Sequence, residues 1–598
     1  MAGGRFFKIH AGPGSSRTPE NRSWHSVRLL APYFRSNGLQ VAAGFLALIV
    51  VDLFNLTIPR VIKWAVDSLQ NGTATPGSLA KNGLTVIGIA IAIATFRYFW
   101  RRLILGFSRI LETGLRNRMF AHVLTLDKAF FQRTTAGEIM ALATNDLSAV
   151  QLASGMGLVA FFDAVFMGVA AFAFMAYIDP WLTLVAVAPM PILAITTRVL
   201  SSRLHHRFKK VQEQFSMLTE FARSTFSSIR LFKAYGQEEA QSKRFEKMGQ
   251  TYVRDNLRLA AVYGALFPIS AFMGNIGMLL VLLYGGRLTV TGRITAGDFV
   301  AFINYLFLMI WPMMAMGWVA DLFQRGATSL SRIEELLDEK PCLGDPPNPL
   351  PGVIKRGEIA IRNLSFYYPG QNEPALDAIN LDIAPGAFIG VVGRIGSGKT
   401  TLCHLLARLY PVEDKTLLYD GADVNAIPIA EVRRAIAYVP QDVVLFSETI
   451  AFNISLGNPA ATQGEIEEAA RAASIHEEIA AMKEGYGTMI GERGVKLSGG
   501  QRQRIAIARA LLLDRPIIII DDALSAVDME TEHAILSSIA SYLKGRTCVV
   551  VSHRVAPLAD AHEIIVMDSG RIVARGPHEQ LLTRSGFYAT IYRQQTTA

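Results

Sequence analysis

The chain has 598 residues, too many for a single compact domain of ordinary size. Apolar residues make up 51% and charged residues only 18%, with a mean hydropathy of +0.28, which excludes an ordinary water-soluble enzyme of this length. The net charge of +9 comes from basic residues that flank apolar runs, with no aromatic–basic pattern, so it speaks for membrane topology and against nucleic acid.

The N-terminal stretch has no apolar h-region, so no cleavable signal peptide is expected. Residues 21–36 set Trp24, Leu29, Leu30, Pro32 and Phe34 among arginines, which fits either an interfacial amphipathic segment or a polar tail. Six apolar runs follow, at 41–58, 84–100, 157–178, 181–197, 259–286 and 299–320. A helix needs about 20 residues to cross the hydrocarbon core, so the first, second and fourth runs need their flanks to complete a crossing. The loops alternate in character. Residues 70–81, 179–180 and 287–297 are short, whereas 103–152 and 198–258 are long and basic. By the positive-inside rule the two long loops and both termini lie in the cytoplasm. Each long loop suits two antiparallel helices that extend the spans beyond the bilayer.

Asp52, Arg97, Asp163, Asn275 and Asn304 are polar residues in or near the apolar runs. Such residues mark a pathway or make an interhelical hydrogen bond. Asp52, Asp163 and Asn304 are the candidates for a substrate pathway. Arg97 reads instead as snorkelling towards the cytoplasm with Arg101 and Arg102. Met309, Met313, Met314 and Met316 crowd the sixth run with Trp311 and Trp318, an adaptable surface for varied apolar cargo or simple helix packing. Pro341, Pro346, Pro347, Pro349 and Pro351 mark a linker, because neither helix nor sheet tolerates that density.

Beyond the linker, Gly393, Arg394, Ile395, Gly396, Ser397, Gly398, Lys399 and Thr400 fit G-x-x-x-x-G-K-[ST]. The motif lies between an apolar strand-like run and an apolar helix-like stretch that opens at Thr401. Its glycines let backbone N–H groups turn towards phosphate oxygens, and the helix behind presents unpaired N–H groups to the anion. Lys399 is expected on the β- and γ-phosphates and the Thr400 hydroxyl on Mg²⁺. Ile517, Ile518, Ile519 and Ile520 form a buried strand that ends in Asp521 and Asp522, and Asp521 fits the carboxylate that helps hold Mg²⁺. Cys342, Cys403 and Cys548 are too far apart in sequence to suggest a disulfide framework or a zinc site.

Leu497, Ser498, Gly499, Gly500 and Gln501 spell LSGGQ. With that motif in place, the chain resembles the ATP-binding cassette (ABC) superfamily. Its six runs, long loops and C-terminal cassette are similar to a half-transporter of the ABC exporter type over nearly the whole length. The resemblance implies a type I exporter fold: an α-helical transmembrane domain of six helices with long cytoplasmic extensions, then an α/β P-loop ATPase. The expected domains are a tail and interfacial elbow at 1–37, transmembrane helices at 38–325, a linker at 326–355 and a nucleotide-binding domain at 356–598. It further implies that Tyr368 stacks on adenine, with Thr401 beside the phosphates. Gln441 meets Mg²⁺ and the membrane domain, and His553 contacts the γ-phosphate. Leu497, Ser498, Gly499, Gly500, Gln501 and the D-loop residue Asp528 are expected to complete the ATP site of a partner chain. ATP and Mg²⁺ are the implied cofactors. Membrane lipid and a hydrophobic small molecule or lipid are the implied partners besides a second half-transporter, and the inner (cytoplasmic) membrane is the implied location.

The family pattern places Glu after the Asp of the buried strand as general base, and this chain has Asp522 there. The side chain is one methylene shorter, which withdraws the carboxylate by about an ångström. The Asp-Asp-Ala-Leu-Ser-Ala-Val-Asp run resembles the MdlA-like branch of bacterial multidrug-type half-transporters. That resemblance implies a heterodimer in which this chain's own site is slow and a different chain carries the Glu. The alternatives are a homodimer that uses Asp522 as base, and a non-transport ABC ATPase.

Overall fold

The computed structural model describes residues 26–491, 497–523, 535, 545–555 and 558–596. Two compact units divide them: one comprises residues up to Leu124 and Ala136–Glu339, and the other joins Thr125–Thr135 to the chain from Lys340 onward.

The first unit is helical. Among the described residues, five helices are long and apolar enough to cross a membrane: Gly38–Gln70, Pro76–Val123, Ala136–Ile178, Ala271–Val290 and Ala296–Asp338. Two of them begin at reciprocal caps. The Thr75 hydroxyl accepts from the Ser78 N–H while the Ser78 hydroxyl accepts from the Thr75 N–H, and Thr295 and Asp298 repeat the arrangement. The fourth predicted run is not one helix. Pro180–Val187 stops, and Met190–Ser227 starts with Pro189 as its cap. Proline lacks the N–H that would continue the ladder, and its ring clashes with the preceding turn. The last helix runs on to Asp338, so the Pro-rich connection begins only at Glu339. The loop predicted at 198–258 is the meeting of two long helices, Met190–Ser227 and Glu238–Leu280, with Ile229–Ala234 between them, and the second continues without a break to Val290, so that Ala271–Val290 is its apolar end.

Leu56, Met175, Leu182, Val281, Phe302, Tyr305 and Met309 form one buried core of this unit, so Met309 packs inward. The Tyr305 hydroxyl donates to the carbonyl of Leu56 at 2.9 Å, which satisfies a polar group inside that core. Residues 27–36 form two short helices, Val27–Leu29 and Ala31–Ser36, while Trp24 and the rest of the predicted tail lie outside the described residues.

The second unit carries two sheets. Strands β1 (Ile359–Phe366), β2 (Leu376–Ile383), β4 (Leu417–Tyr419) and β5 (Ala422–Asp423) pair antiparallel in the order β2-β1-β4-β5. Strands β3 (Phe388–Gly393), β6 (Ile436–Val439), β7 (Ile517–Asp521), β8 (Thr547–Val551), β9 (Glu563–Asp568) and β10 (Arg571–Gly576) form the order β10-β9-β3-β8-β7-β6. All neighbours there are parallel except β9 and β10. Strands β7 and β8 are buried along their whole length, which explains their unbroken apolar runs. The register sets Asp521 opposite Val551, and Val391 is also opposite Val551. The carboxyl ends of β3, β7 and β8 therefore open on one edge, where parallel sheets place their ligands.

In the helical unit, Gly326 lies against the Ala136–Ile178 helix. A Cβ added there collides with the Ala153 Cβ and comes within 3.4 Å of the Ala149 carbonyl. We expect Gly326→Val to cost about 1–3 kcal/mol by overpacking. The check is a lower thermal-unfolding midpoint of the detergent-solubilised protein, and an unchanged midpoint contradicts the packing described.

Candidate functional site

The carboxyl edge of the parallel sheet holds a cavity of about 400 Å³. Tyr368, Ile395, Gly396, Ser397, Gly398, Lys399, Thr400 and Thr401 line it on one side. Gln441, Asp522, Val551 and His553 line it on the other. The loop between β3 and the helix Lys399–Leu406 turns at Gly398, whose φ of +97° is open to glycine and strained for other residues. Gly393 is held to glycine by space, since a Cβ there runs into the Met567 carbonyl and the Ser397 hydroxyl. Gly393 and Arg394 do not line the cavity. They supply the carbonyls that accept from Lys399 Nζ at 2.9 and 2.8 Å, and the Arg394 guanidinium lies 5.2 Å from the Phe587 ring centre. Ser397 Oγ is buried without a hydrogen-bond partner among the described residues, in the loop that would meet phosphate.

Lys399 is buried, and burial lowers its pKa, while the charges of Asp522 and Asp521 pull it back up. Asp521 is fully buried. Burial raises its pKa against the lowering effect of two donors: the Thr400 hydroxyl at 3.1 Å and the Tyr438 hydroxyl at 3.3 Å. Asp522 has φ +49°, a left-handed conformation that Asp tolerates better than most residues. Its N–H donates to the Val551 carbonyl at 3.0 Å, which ties the ends of β7 and β8 together. Gln441 Nε2 donates to Asp522 Oδ2 at 3.4 Å, and His553 Nε2 lies 3.6 Å from the same oxygen. The Tyr368 ring packs edge-on to Phe366 and Tyr410, and its hydroxyl shares a hydrogen bond with Thr401 Oγ1 at 3.0 Å. Among the described residues no group of three or more His, Cys, Asp and Glu side chains could hold a metal alone. That suits Mg²⁺, which is usually held by one or two carboxylates together with substrate phosphates and water.

The LSGGQ residues are placed elsewhere. Ser498 caps the helix Gly499–Leu511, accepting from the Gln501 N–H at 3.2 Å, while Gln501 Oε1 accepts from the Ser498 N–H at 2.9 Å. Gln501 and Arg504 both reach Glu478, at 2.9 and 2.6 Å, so the turn is braced from behind. None of Leu497, Ser498, Gly499, Gly500 and Gln501 lines the cavity. Asp528 lies outside the described residues.

Three residues at the site carry no sequence signal. Tyr438 is an ordinary residue of β6. Lys128 comes from the segment Thr125–Thr135, where Asp127 caps the helix Lys128–Arg133 and Ala129 enters the core of the second unit. Lys128 Nζ donates to His404 Nε2 at 2.8 Å, on the helix that opens with Lys399. Burial lowers the Lys128 pKa and the charge of Asp521 opposes that fall. Burial, and then the charge of Lys128, push the His404 pKa down to about 4.

In the helical unit, Asp52 and Asp163 meet at a cavity of about 330 Å³. Arg97 lines the same cavity, so it does not simply snorkel away. Asn304 is not part of this group, because its Nδ2 donates to the Val300 carbonyl of its own helix at 2.8 Å.

The description "ABC transporter transmembrane region" matches residues 41–313, and "ABC transporter" matches residues 376–525. The chain is 38% identical to the multidrug resistance-like ATP-binding protein MdlA of Escherichia coli (strain K12), over 95% of this chain and 96% of that one. It is 35% identical to the ATP-dependent lipid A-core flippase of Pseudomonas fluorescens (strain Pf0-1), over 83% of this chain and 81% of that one. Among solved structures, a bacterial Atm1-family ABC exporter with ATP bound superposes with a TM-score of 0.77 at 26% identity, covering 94% of this chain and 98% of that one.

Between pH 6.5 and about 4, His404 takes up a proton in the unfolded chain but stays neutral in the native one. The unfolded state binds more protons there, so native stability falls as pH drops through that window. We expect thermal unfolding of His404→Gln to show a smaller loss between pH 6.5 and 4 than the parent protein. Parallel curves for the two proteins contradict the buried Lys128–His404 contact.

Proposed function

The chain belongs to the ABC transporter family and is an ATP-hydrolysing membrane transporter of the exporter type, and we propose that it forms one half of a two-chain exporter that moves hydrophobic or amphipathic molecules outward. One observation carries the proposal. The P-loop, Asp521, Asp522, Gln441 and His553 gather at one cavity, and the LSGGQ turn of the same chain takes no part in lining it. A braced, capped Ser-Gly-Gly turn that lines no part of this chain's own P-loop cavity is suited to complete a site on a second chain. Five helices fit to cross a membrane argue against a non-transport ATPase. The names of the relatives, multidrug resistance-like protein and lipid A-core flippase, support hydrophobic or amphipathic cargo. The basic loops support cytoplasmic termini and an ATPase on the cytoplasmic face.

On this reading Tyr368 stacks on adenine, while the backbone N–H groups of residues 396–401 and the Lys399 ammonium hold the β- and γ-phosphates. Thr400, Asp521 and Gln441 would hold Mg²⁺, whose charge offsets that of the phosphates. A hydroxyl and a buried carboxylate 3.1 Å apart are the hard oxygen donors this ion prefers. Asp522 takes a proton from the attacking water as its oxygen bonds to the γ-phosphorus. The bond to the bridging oxygen breaks, and ADP leaves with the electron pair. His553 steadies the γ-phosphate. The segment Thr125–Thr135 is folded into the ATPase unit yet continuous at both ends with membrane-unit helices, so it is a direct mechanical link.

The chain's own site is slow, because a base withdrawn by about an ångström can cost about 10²-fold in rate. A different half-transporter with Glu in place of Asp522 then supplies the productive site, to which this chain lends its LSGGQ turn. A homodimer using Asp522 is the second reading, favoured by Gln441 and His553 standing 3.4 and 3.6 Å from the Asp522 carboxylate.

Purified alone in lipid, the chain is expected to hydrolyse ATP slowly, and Asp522→Glu to raise the rate by about 10- to 100-fold. Brisk hydrolysis by the unaltered chain, lost in Asp522→Asn, establishes the homodimer instead.

A further inference from the structure

We propose that Gln595, in the helix Gly586–Thr596, is a positioning residue for His553 and so governs how the ATP site holds the terminal phosphate; this rests on the reading of His553 above as a contact of the γ-phosphate. The helix starts where the Ser585 hydroxyl accepts from the Tyr588 N–H at 3.3 Å. Phe587, Tyr588, Ile591 and Tyr592 recur at i, i+1, i+4 and i+5, and that stripe packs on a core of the ATPase unit. The next position on the same face is 595. An apolar residue would continue the stripe, and the chain has glutamine there.

The amide has a task at that position. Gln595 Nε2 donates to the His553 carbonyl at 2.9 Å, and Gln595 Oε1 accepts from the Val555 N–H at 2.8 Å. Both backbone groups lie past the end of β8, which stops at Val551, so its ladder does not satisfy them. A side-chain amide offers a donor and an acceptor side by side in one plane, which suits a carbonyl and an N–H two residues apart.

Two further ties fix this loop. The Ser552 hydroxyl accepts from the Arg554 N–H at 2.9 Å, and Val555 is buried in the same core as Tyr588. The His553 side chain is 38% exposed, so packing alone does not aim it and the backbone beneath it must. That backbone is held by Gln595, and the imidazole then stands with Nε2 3.6 Å from Asp522 Oδ2. The same helix also reaches the P-loop. The Phe587 ring centre lies 5.2 Å from the guanidinium of Arg394, whose carbonyl accepts from Lys399 Nζ. One helix thus touches both loops that would meet the phosphates.

The test compares equilibrium binding of adenylyl imidodiphosphate and of ADP, each with Mg²⁺, to the full-length protein in lipid nanodiscs. The first carries a terminal phosphate and is not hydrolysed, so a slow site reads as well as a fast one. Gln595→Leu keeps the bulk and loses both bonds. It is expected to bind the imidodiphosphate about fivefold to tenfold more weakly, with ADP affinity unchanged. Gln595→Glu keeps the acceptor for Val555 and loses the donor to His553, and the same selective loss is expected; it gives the readout if Gln595→Leu fails to fold, which thermal unfolding checks. Thr590→Ala, on the exposed side of the helix, is expected to change neither affinity. Equal weakening of both nucleotides in the Gln595 variants, or the same selective loss in Thr590→Ala, overturns the positioning role. His553→Ala separates the two readings. If it loses imidodiphosphate affinity and the folded Gln595 variants do not, the positioning role falls and the reading of His553 stands. If it binds both nucleotides as the parent does, the reading of His553 fails and takes the positioning role with it.

Discussion

A charge balance in a desolvated corner organises this molecule. Lys399 is buried at the end of β3 and held by two backbone carbonyls, and Asp521 and Asp522 end β7 close to it. None of these charges is comfortable without the others, because burial opposes ionisation of both the ammonium and the Asp521 carboxylate. The parallel register through β8 holds the groups in place. The glycine turn leaves room for an anion such as phosphate beside them. The Thr400 and Tyr438 hydroxyls complete the shell around Asp521.

The segment Thr125–Thr135 extends that corner. Lys128 adds a cation on the far side of the P-loop helix through His404, so the field at Asp521 depends on a residue from a stretch of chain that lies between membrane-unit helices. Asp127 stiffens the segment by accepting from Ala129 and Phe130 N–H groups at 3.1 and 3.3 Å and from the Cys342 N–H at 2.5 Å.

Much of this was legible in the sequence, for a physical reason. Phosphate binding constrains consecutive residues, so 393–400 and 497–501 can be recognised without a structure. Long apolar stretches are dictated by bilayer thickness, and five of six appear as helices of the expected kind. Contacts set by tertiary packing were not legible. Nothing local marks Lys128 as the partner of His404 or Tyr438 as a donor to Asp521. Nothing local shows that the Asn304 Nδ2 donates to the Val300 carbonyl of its own helix rather than to another. Asp52, Asp163 and Arg97 are spread over three helices, and their meeting is a property of the bundle. Apolar composition alone runs the two helices on either side of Pro189 into a single stretch.

On the two-chain proposal, this chain carries a full phosphate cradle with a shortened base at Asp522, and lends its LSGGQ turn to a faster site on a partner. A single-turnover rapid-quench experiment on the complex purified from its native host, loaded with radiolabelled ATP, tests it most directly. Half of the bound ATP is expected to be hydrolysed in a fast phase while the other half persists, the persisting fraction cross-linking to this chain. Hydrolysis of all bound ATP in one fast phase would contradict it.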